Sequence, residues 1–381
     1  MEIKYIGVND RITDLFEGQF EIPNGISYNS YLVRDEKIAI MDSVDLRFFD
    51  KWLENIKKEL NDTPPDFLVV NHMEPDHSSS IRHLVFEYPD IKIVSTKKSF
   101  DMMRGFFGTD FDESKIVVDN GTALSLGKST LTFYTAPMVH WPEVMVSYLD
   151  TEKTLFSADA FGKFGALDHS EDWACEARRY YFGIVGKYGA QVSSLLKKLS
   201  NLKIEKICPL HGPTLDSNLS YYLDLYEKWA SYQPEVDGVF IAYTSVYGNT
   251  KEGALLLKDE LESRGTRVSI CDLAREDMHE AIEDAFKYSR LVLATTTYNN
   301  GIFPFMREFI NHLNERNFQN RTVAFMENGT WAPNAAKTMK SMLENSKNLT
   351  IIDTGVTILS ALNENSRAQI VALANELVKL K

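Results

Sequence analysis

The sequence predicts an α/β protein of two domains, a layered sheet sandwich followed by a doubly wound parallel sheet. Three observations carry this expectation. At 381 residues the chain exceeds what one ordinary core accommodates. The stretch "SYQPEVDGVFIAYTS" forms a seam, with an amphipathic run ending before Pro234 and a new β-rich run opening at Gly238, so the domains are expected at 1–235 and 236–381. The two halves also differ in pattern, strand-rich before the seam and regularly alternating after it.

Before the seam, "GISYNSYLVRD", "KIAIMDSV", "FLVVNHM", "IKIVSTK", "STLTFYTAP" and "KTLFSADAFG" are rich in β-branched and aromatic residues and bounded by turns, so each is expected as a strand. Helical periodicity occurs over 46–60, 78–88 and 170–200. Strands with helices of this kind suggest two packed sheets with helices outside. After the seam, "GVFIAYTS", "RVSICDLA", "RLVLATTTY", "TVAFMEN" and "TIIDTGVTIL" are strands, each followed by a helix, the later ones at 303–316, 333–346 and 363–380. Five such units make a doubly wound, five-stranded sheet.

Composition excludes several classes. The formal charge of −13 would repel a phosphate polymer, so no nucleic-acid partner is expected. No apolar run is long enough to span a bilayer, and the N-terminus lacks a basic segment followed by an apolar stretch, so the expected location is cytoplasmic, with no membrane partner. Cys175, Cys208 and Cys271 lie far apart and form no CxxC pair, which leaves them as reduced, buried residues.

The chemistry concentrates in "NHMEPDHSSS". His72, Glu74, Asp76 and His77 fall where the apolar run "FLVVN" should end, and strand ends carry functional loops. Pro75 disfavours a helical conformation at Glu74, so a fixed turn is expected. Imidazoles and carboxylates in this density suit a borderline or hard metal. Later strand candidates end at His140 ("YTAPMVHWPE"), Asp159 ("LFSADAFG") and His211 ("ICPLHGP"), and a carboxylate such as Asp159 has two oxygens with which to bridge two metals. His83, His169, His279 and His312 are read as structural or exposed, with His169 the one that could support a ligand.

This ordered series resembles the metallo-β-lactamase-like fold, whose hydrolases carry His-x-His-x-Asp-His as a first motif. Here Glu74 stands at the second histidine, which adds negative charge and favours harder, more oxidised metals. With that change the N-terminal part resembles the di-iron domain of the flavodiiron proteins. The resemblance implies that His72, Glu74 and His140 hold one iron, that Asp76 and His211 hold the other together with a more variable His77, and that Asp159 bridges both alongside an oxo or hydroxo group.

The second half carries "AYTSVYGNT" between its first strand and first helix. Hydroxyls, backbone N–H groups and a helix N-terminus there make a phosphate cradle. The spacing resembles the flavodoxin loop for the FMN phosphate, which assigns Thr244, Ser245, Tyr247, Gly248, Asn249 and Thr250. Two further loops follow strands three and four. "TTTYNNGIFP" offers Thr297, Tyr298, Asn299, Asn300 and Gly301, and "ENGTWAPNAA" offers Asn328, Gly329, Thr330 and Trp331. The last loop keeps an aromatic residue but departs from the family's Ser-Tyr-Gly-Trp-like run.

The resemblance spans essentially the whole chain. It implies an oxidoreductase that reduces O2 to water, NO to N2O, or both, with FMN relaying electrons to a non-haem di-iron pair. The chain ends after the fifth strand and its helix, so rubredoxin or a similar external donor is expected. So is a head-to-tail homodimer or a dimer of dimers. Two rivals stand beside this reading: a hydrolase with two zinc ions, against which Glu74 counts, and an electron carrier with a vestigial metal site, against which the seven-residue series counts.

Overall fold

The computed structural model describes residues 1–380. The chain divides into compact units Met1–Glu227 and Lys228–Lys381. The break falls within the helix Leu219–Ala230, and Pro234 lies between that helix and the strand Val236–Tyr243.

The first unit is a two-sheet sandwich. One sheet has six strands, in the order Glu2–Tyr5, Tyr31–Arg34, Ile38–Met41, Phe67–Val69, Lys92–Thr96 and Lys115–Val118. The other has five: Ala123–Ser125, Thr130–Thr135, Met145–Leu149, Thr154–Phe156 and Lys206–Cys208. Alternation along Ile38–Met41 shows how they pack. Ala39 and Met41 join Leu131, Phe133, Met145 and Phe156 in the core between the sheets. Ile38 and Ile40 point the other way and join Leu68 and Ile93 against the helices. Strands buried on both faces read as unbroken apolar runs, which is why this part is legible in sequence.

Helix Phe49–Leu60 buries Trp52, Ile56 and Leu60, one residue per turn, and stops where Asn61 takes the left-handed conformation (φ 48). Helix Lys97–Phe107 starts under Thr96, whose hydroxyl accepts from Ser99 N, and ends at Gly108 (φ 72). The expected helix over 170–200 is interrupted: Trp173–Tyr180 is α-helical, Tyr181–Val185 is a π turn, and the α-helix resumes at Gly189–Leu199. "GISYNSYLVRD" likewise breaks into two strands, Ile26–Tyr28 and Tyr31–Arg34.

The second unit is a parallel sheet ordered Arg267–Asp272, Val236–Tyr243, Tyr288–Tyr298, Thr322–Asn328 and Thr350–Ile351. The fifth position is split, because Val356–Ile358 also pairs with Thr322–Asn328. The order reverses direction after the first strand, and the crevice at that switch point, outside the strands' carboxyl ends, is where such sheets take ligands. Cys208 and Cys271 are buried and Cys175 is half-buried; among the described residues none of the three is in a disulfide.

Leu68 sits wholly buried in the strand that carries the metal-site loop. Leu68→Ala should lower the stability of the first unit by about 2–5 kcal/mol in urea unfolding. A loss below about 1 kcal/mol would show that this layer is not the core described.

Candidate metal centre and cofactor cleft

The loop after Phe67–Val69 is held before it reaches the site. Buried Asp42 accepts from Asn71 N (2.6 Å) and Asn71 Nδ2 (2.7 Å), while Asn71 Oδ1 accepts from Ser147 Oγ (2.6 Å) of the opposite sheet. Burial pushes the Asp42 carboxyl up to about 6, against the bonds from Asn71. Glu74 is extended (φ −58, ψ 139), as a residue before proline should be. Pro75–Ser78 then make one turn of helix rather than a plain turn: proline at the first helical position is pre-set for helix and needs no N–H there.

The seven expected residues converge. The Nε2 atoms of His72 and His140 lie 3.3 and 3.0 Å from Glu74 Oε2, and 3.2 and 3.0 Å from Asp159 Oδ2. The Nε2 atoms of His77 and His211 lie 3.1 and 3.3 Å from Asp76 Oδ2, and 3.5 and 3.7 Å from Asp159 Oδ1. His72, Glu74, His140 and Asp159 thus form one donor group and Asp76, His77 and His211 a second. Asp159 turns a different oxygen to each. Separations near 3 Å match the edges of a polyhedron around a cation with bonds of about 2.0–2.2 Å.

The residues fit metal ions on a further observation. Both oxygens of Asp76 and of Asp159 are buried without a well-aligned hydrogen bond. Buried carboxylates left in that state are costly, and cations remove the cost. Without cations the carboxylates draw protons onto the imidazoles. Burial opposes the charged ring, but Asp159 and Glu74 push His140 up to about 9, and Asp76 and Asp159 push His77 up to about 10.

The rings are aimed from behind. His211 Nδ1 donates to Ser27 O (2.7 Å), and a carbonyl can only accept, so its Nε2 is left with a lone pair toward the site. His72 Nδ1 meets Glu143 Oε1 at 2.8 Å, and the same oxygen accepts from Met73 N (2.9 Å). Trp141 stands edge-on to His72 (5.4 Å between centroids), and Tyr180 and Phe16 stand against His211 (both 5.4 Å). Aromatic walls keep water out and strengthen the electrostatics inside. At the rim, the exposed Glu17 is pushed up to about 7, first by desolvation from the protein around it and then by the charge of Glu74. Sequence reasoning misses Glu143 and Glu17. Glu143 is in view in "HWPE", three residues after His140. His169 lies outside both groups, its Nε2 4.0 Å from Glu171 Oε2.

In the second unit the three expected loops border one cleft of about 420 Å³. Its lining includes Ser245, Tyr247, Asn249, Thr250, Thr297, Tyr298, Asn299, Asn300, Asn328, Gly329, Thr330 and Trp331. Thr244, Gly248 and Gly301 lie in the same loops but are not among the lining residues. Thr244 is buried beneath, its hydroxyl 2.6 Å from that of Thr295; Gly248 (φ 95) caps helix Asn249–Glu262; Gly301 pairs with Tyr298 in a short hairpin. Val246, Thr296, Ala332 and Ser360 line the cleft beyond the residues expected. The cradle fits a phosphate: the Thr250 hydroxyl is buried with no partner in the first turn of that helix. Among the described residues no lysine or arginine lines the cleft, so backbone N–H groups, hydroxyls and the helix dipole would carry the charge. Tyr247 and Trp331 are 93% and 89% exposed, two flat apolar faces beside the cleft.

A buried two-position metal cluster in a β-lactamase-like sandwich, joined to a flavodoxin-like sheet with a phosphate cradle, defines a metalloflavoprotein. The comparisons agree. The family model described as ODP family beta lactamase matches residues 26–212, and the one described as Flavodoxin domain matches 240–376. The chain is 28% identical over 355 residues to the anaerobic nitric oxide reductase flavorubredoxin of Escherichia coli O1:K1, covering 90% of this chain and 74% of that protein. Its structure matches the rubredoxin oxygen:oxidoreductase of Desulfovibrio gigas with a TM-score of 0.91 at 26% identity, covering 99% and 96% of the two chains. A variant of the flavo di-iron protein of Thermotoga maritima matches with a TM-score of 0.89 at 25% identity, covering 99% and 96%. Across both units the chain is thus similar to the flavodiiron proteins.

The raised imidazoles set the pH dependence of metal uptake. A ring protonated below about 9–10 must lose its proton to bind a cation, so uptake at pH 7 should release protons. Apparent Co2+ affinity of the metal-free protein should climb steadily from pH 6 to 8. Calorimetry in buffers of different ionisation enthalpy measures this, and an affinity flat across that range would refute it.

Proposed function

We propose that the chain reduces O2 to water, NO to N2O, or both, at a non-haem di-iron site supplied with electrons through FMN. The observation that carries the proposal is the bridging arrangement at Asp159, with Glu74 in place of an imidazole, in the same chain as the phosphate cradle. In this reading His72, Glu74 and His140 hold one iron, Asp76, His77 and His211 the other, and Asp159 both. The proximity of His77 Nε2 to Asp76 supports including it. Ser245, Asn249 and Thr250 hold the FMN phosphate, and the loops at Thr297–Asn300 and Asn328–Trp331 flank its ring.

When bound, the irons would supply redox change and an open position for a diatomic molecule, and FMN would link paired to single electrons. The chain's own residues do the rest. Glu74, Asp76 and Asp159 offset added positive charge when the pair is oxidised. Ser27 O and Glu143 fix two of the rings, and Trp141, Tyr180 and Phe16 exclude bulk water. Thr250 gives a hydroxyl to the phosphate where no cation stands.

The proposal extends to a rubredoxin-type donor, because one matched protein is a rubredoxin oxygen:oxidoreductase, and to a head-to-tail homodimer or dimer of dimers. It places domains at 1–235 and 236–381. Among the described residues no helix is long and apolar enough to cross a membrane, and we place the protein in the cytoplasm. The two-zinc hydrolase is not favoured: it gives the flavodoxin domain no task and leaves Glu74 without a reason.

Protein purified without oxygen should hold about two irons and one FMN per chain, and should consume O2 or NO when given reduced rubredoxin. Two zincs with little iron, from cells grown with ample iron, would sink the proposal. Thr250→Val should weaken FMN binding about ten- to a hundredfold, the value of one hydrogen bond to a charged group. Unchanged affinity in a fluorescence titration would remove Thr250 from the cradle.

A further inference from the structure

The two metal positions share Asp159 and each has a carboxylate of its own, but they differ behind the ligands. At the first, His72 Nδ1 meets a carboxylate oxygen, the buried Glu143 Oε1, at 2.8 Å. At the second, His211 Nδ1 donates to a neutral carbonyl, Ser27 O, at 2.7 Å, and His77 Nδ1 is buried with no hydrogen-bond partner. An imidazole that donates to a carboxylate is the more basic ligand, because the acceptor's charge reaches the metal through the ring. Glu143 has no other role in sight. Its Oε2 is buried without a partner, so among the described residues only His72 and Met73 N compensate the burial of its carboxylate. A buried carboxylate held that way is an expensive device, and it serves one position only.

We infer that Glu143 is a positioning residue that makes the two positions unequal: it raises the cation affinity of the His72–Glu74–His140 position and makes that position the first of the two to be oxidised. The redox part rests on the di-iron reading. When a one-electron oxidant takes an electron from a diferrous pair, the iron beside His72 becomes ferric and the one beside His211 stays ferrous. No proton needs to move, because the compensating negative charge of Glu143 is already in place. The affinity part holds for any divalent cation and does not depend on the substrate.

The test is a stepwise Co2+ titration of the metal-free full chain, followed by optical spectroscopy, for wild type, Glu143→Gln and Glu143→Asp. The glutamine amide oxygen can still accept from His72 Nδ1 and Met73 N, so the geometry is kept and only the charge is lost. Glu143→Gln should weaken one of the two binding steps about 10- to 100-fold and leave the other within about threefold. Glu143→Asp, which keeps the charge, should recover most of the loss. In the iron-loaded protein, the lower of the two one-electron potentials should rise by about 59 mV or more, a tenfold change, with the higher one moving less. If Glu143→Gln holds a single Co2+ per chain, that also supports the inference. Equal weakening of both steps, loss of both ions, or no change in either overturns it. Wild type that binds two Co2+ but never accumulates iron would overturn the di-iron reading and leave the affinity result standing.

Discussion

The structure turns on three carboxylates held close together, the half-buried Glu74 and the buried Asp76 and Asp159. Alone they could not all stay charged, since like charges in a dry interior repel strongly and a buried carboxylate without a donor is costly. The imidazoles of His72, His77 and His140 soften this by taking up protons, which is why all three are raised. Two divalent cations resolve it directly. Their four positive charges match Glu74, Asp76, Asp159 and the Glu143 behind them.

Holding such a cluster demands rigidity, and the sandwich supplies it. The donors come from four places where a strand has just ended, after Phe67–Val69, Thr130–Thr135, Thr154–Phe156 and Lys206–Cys208. The first of these belongs to one sheet and the other three to the other. The Asp42–Asn71–Ser147 chain ties the two sheets at the height of the site, so the first ligand loop cannot shift against the rest. A polar network of this kind, fully buried and satisfied, specifies one arrangement where apolar packing alone would tolerate several.

The candidate ligand set is legible in the sequence because metal binding constrains residue type and order, and strand ends are marked by where apolar runs stop. The alternating second unit is legible for a related reason: parallel strands covered on both faces must be apolar throughout. The residues that escape are of another kind. Glu143 touches no metal, so nothing in its spacing distinguishes it from a surface glutamate. Glu17 comes from a hairpin far from the ligand motifs in sequence. Ser360 reaches the cleft because the fifth strand is split and the chain after Val356–Ile358 folds back to Thr330 and Asn328. By its residue types alone that stretch reads as one strand. Thr244, Gly248 and Gly301 lie in the same loops without lining the cleft, and Gly248 also caps the helix that follows.

The cleft and the metal centre answer opposite electrostatic problems with the same economy. At the metal centre the protein supplies anions and leaves the cations to be acquired. In the cleft it supplies neither sign: a doubly charged phosphate would be met by hydroxyls, N–H groups and one helix end. Neutral donors bind an anion without laying down fixed positive charge, so a cofactor whose own charge changes during turnover is not trapped in one state by its anchor. The exposed faces of Tyr247 and Trp331 fit the same logic. They would offer area for stacking on a flat ring without adding charge.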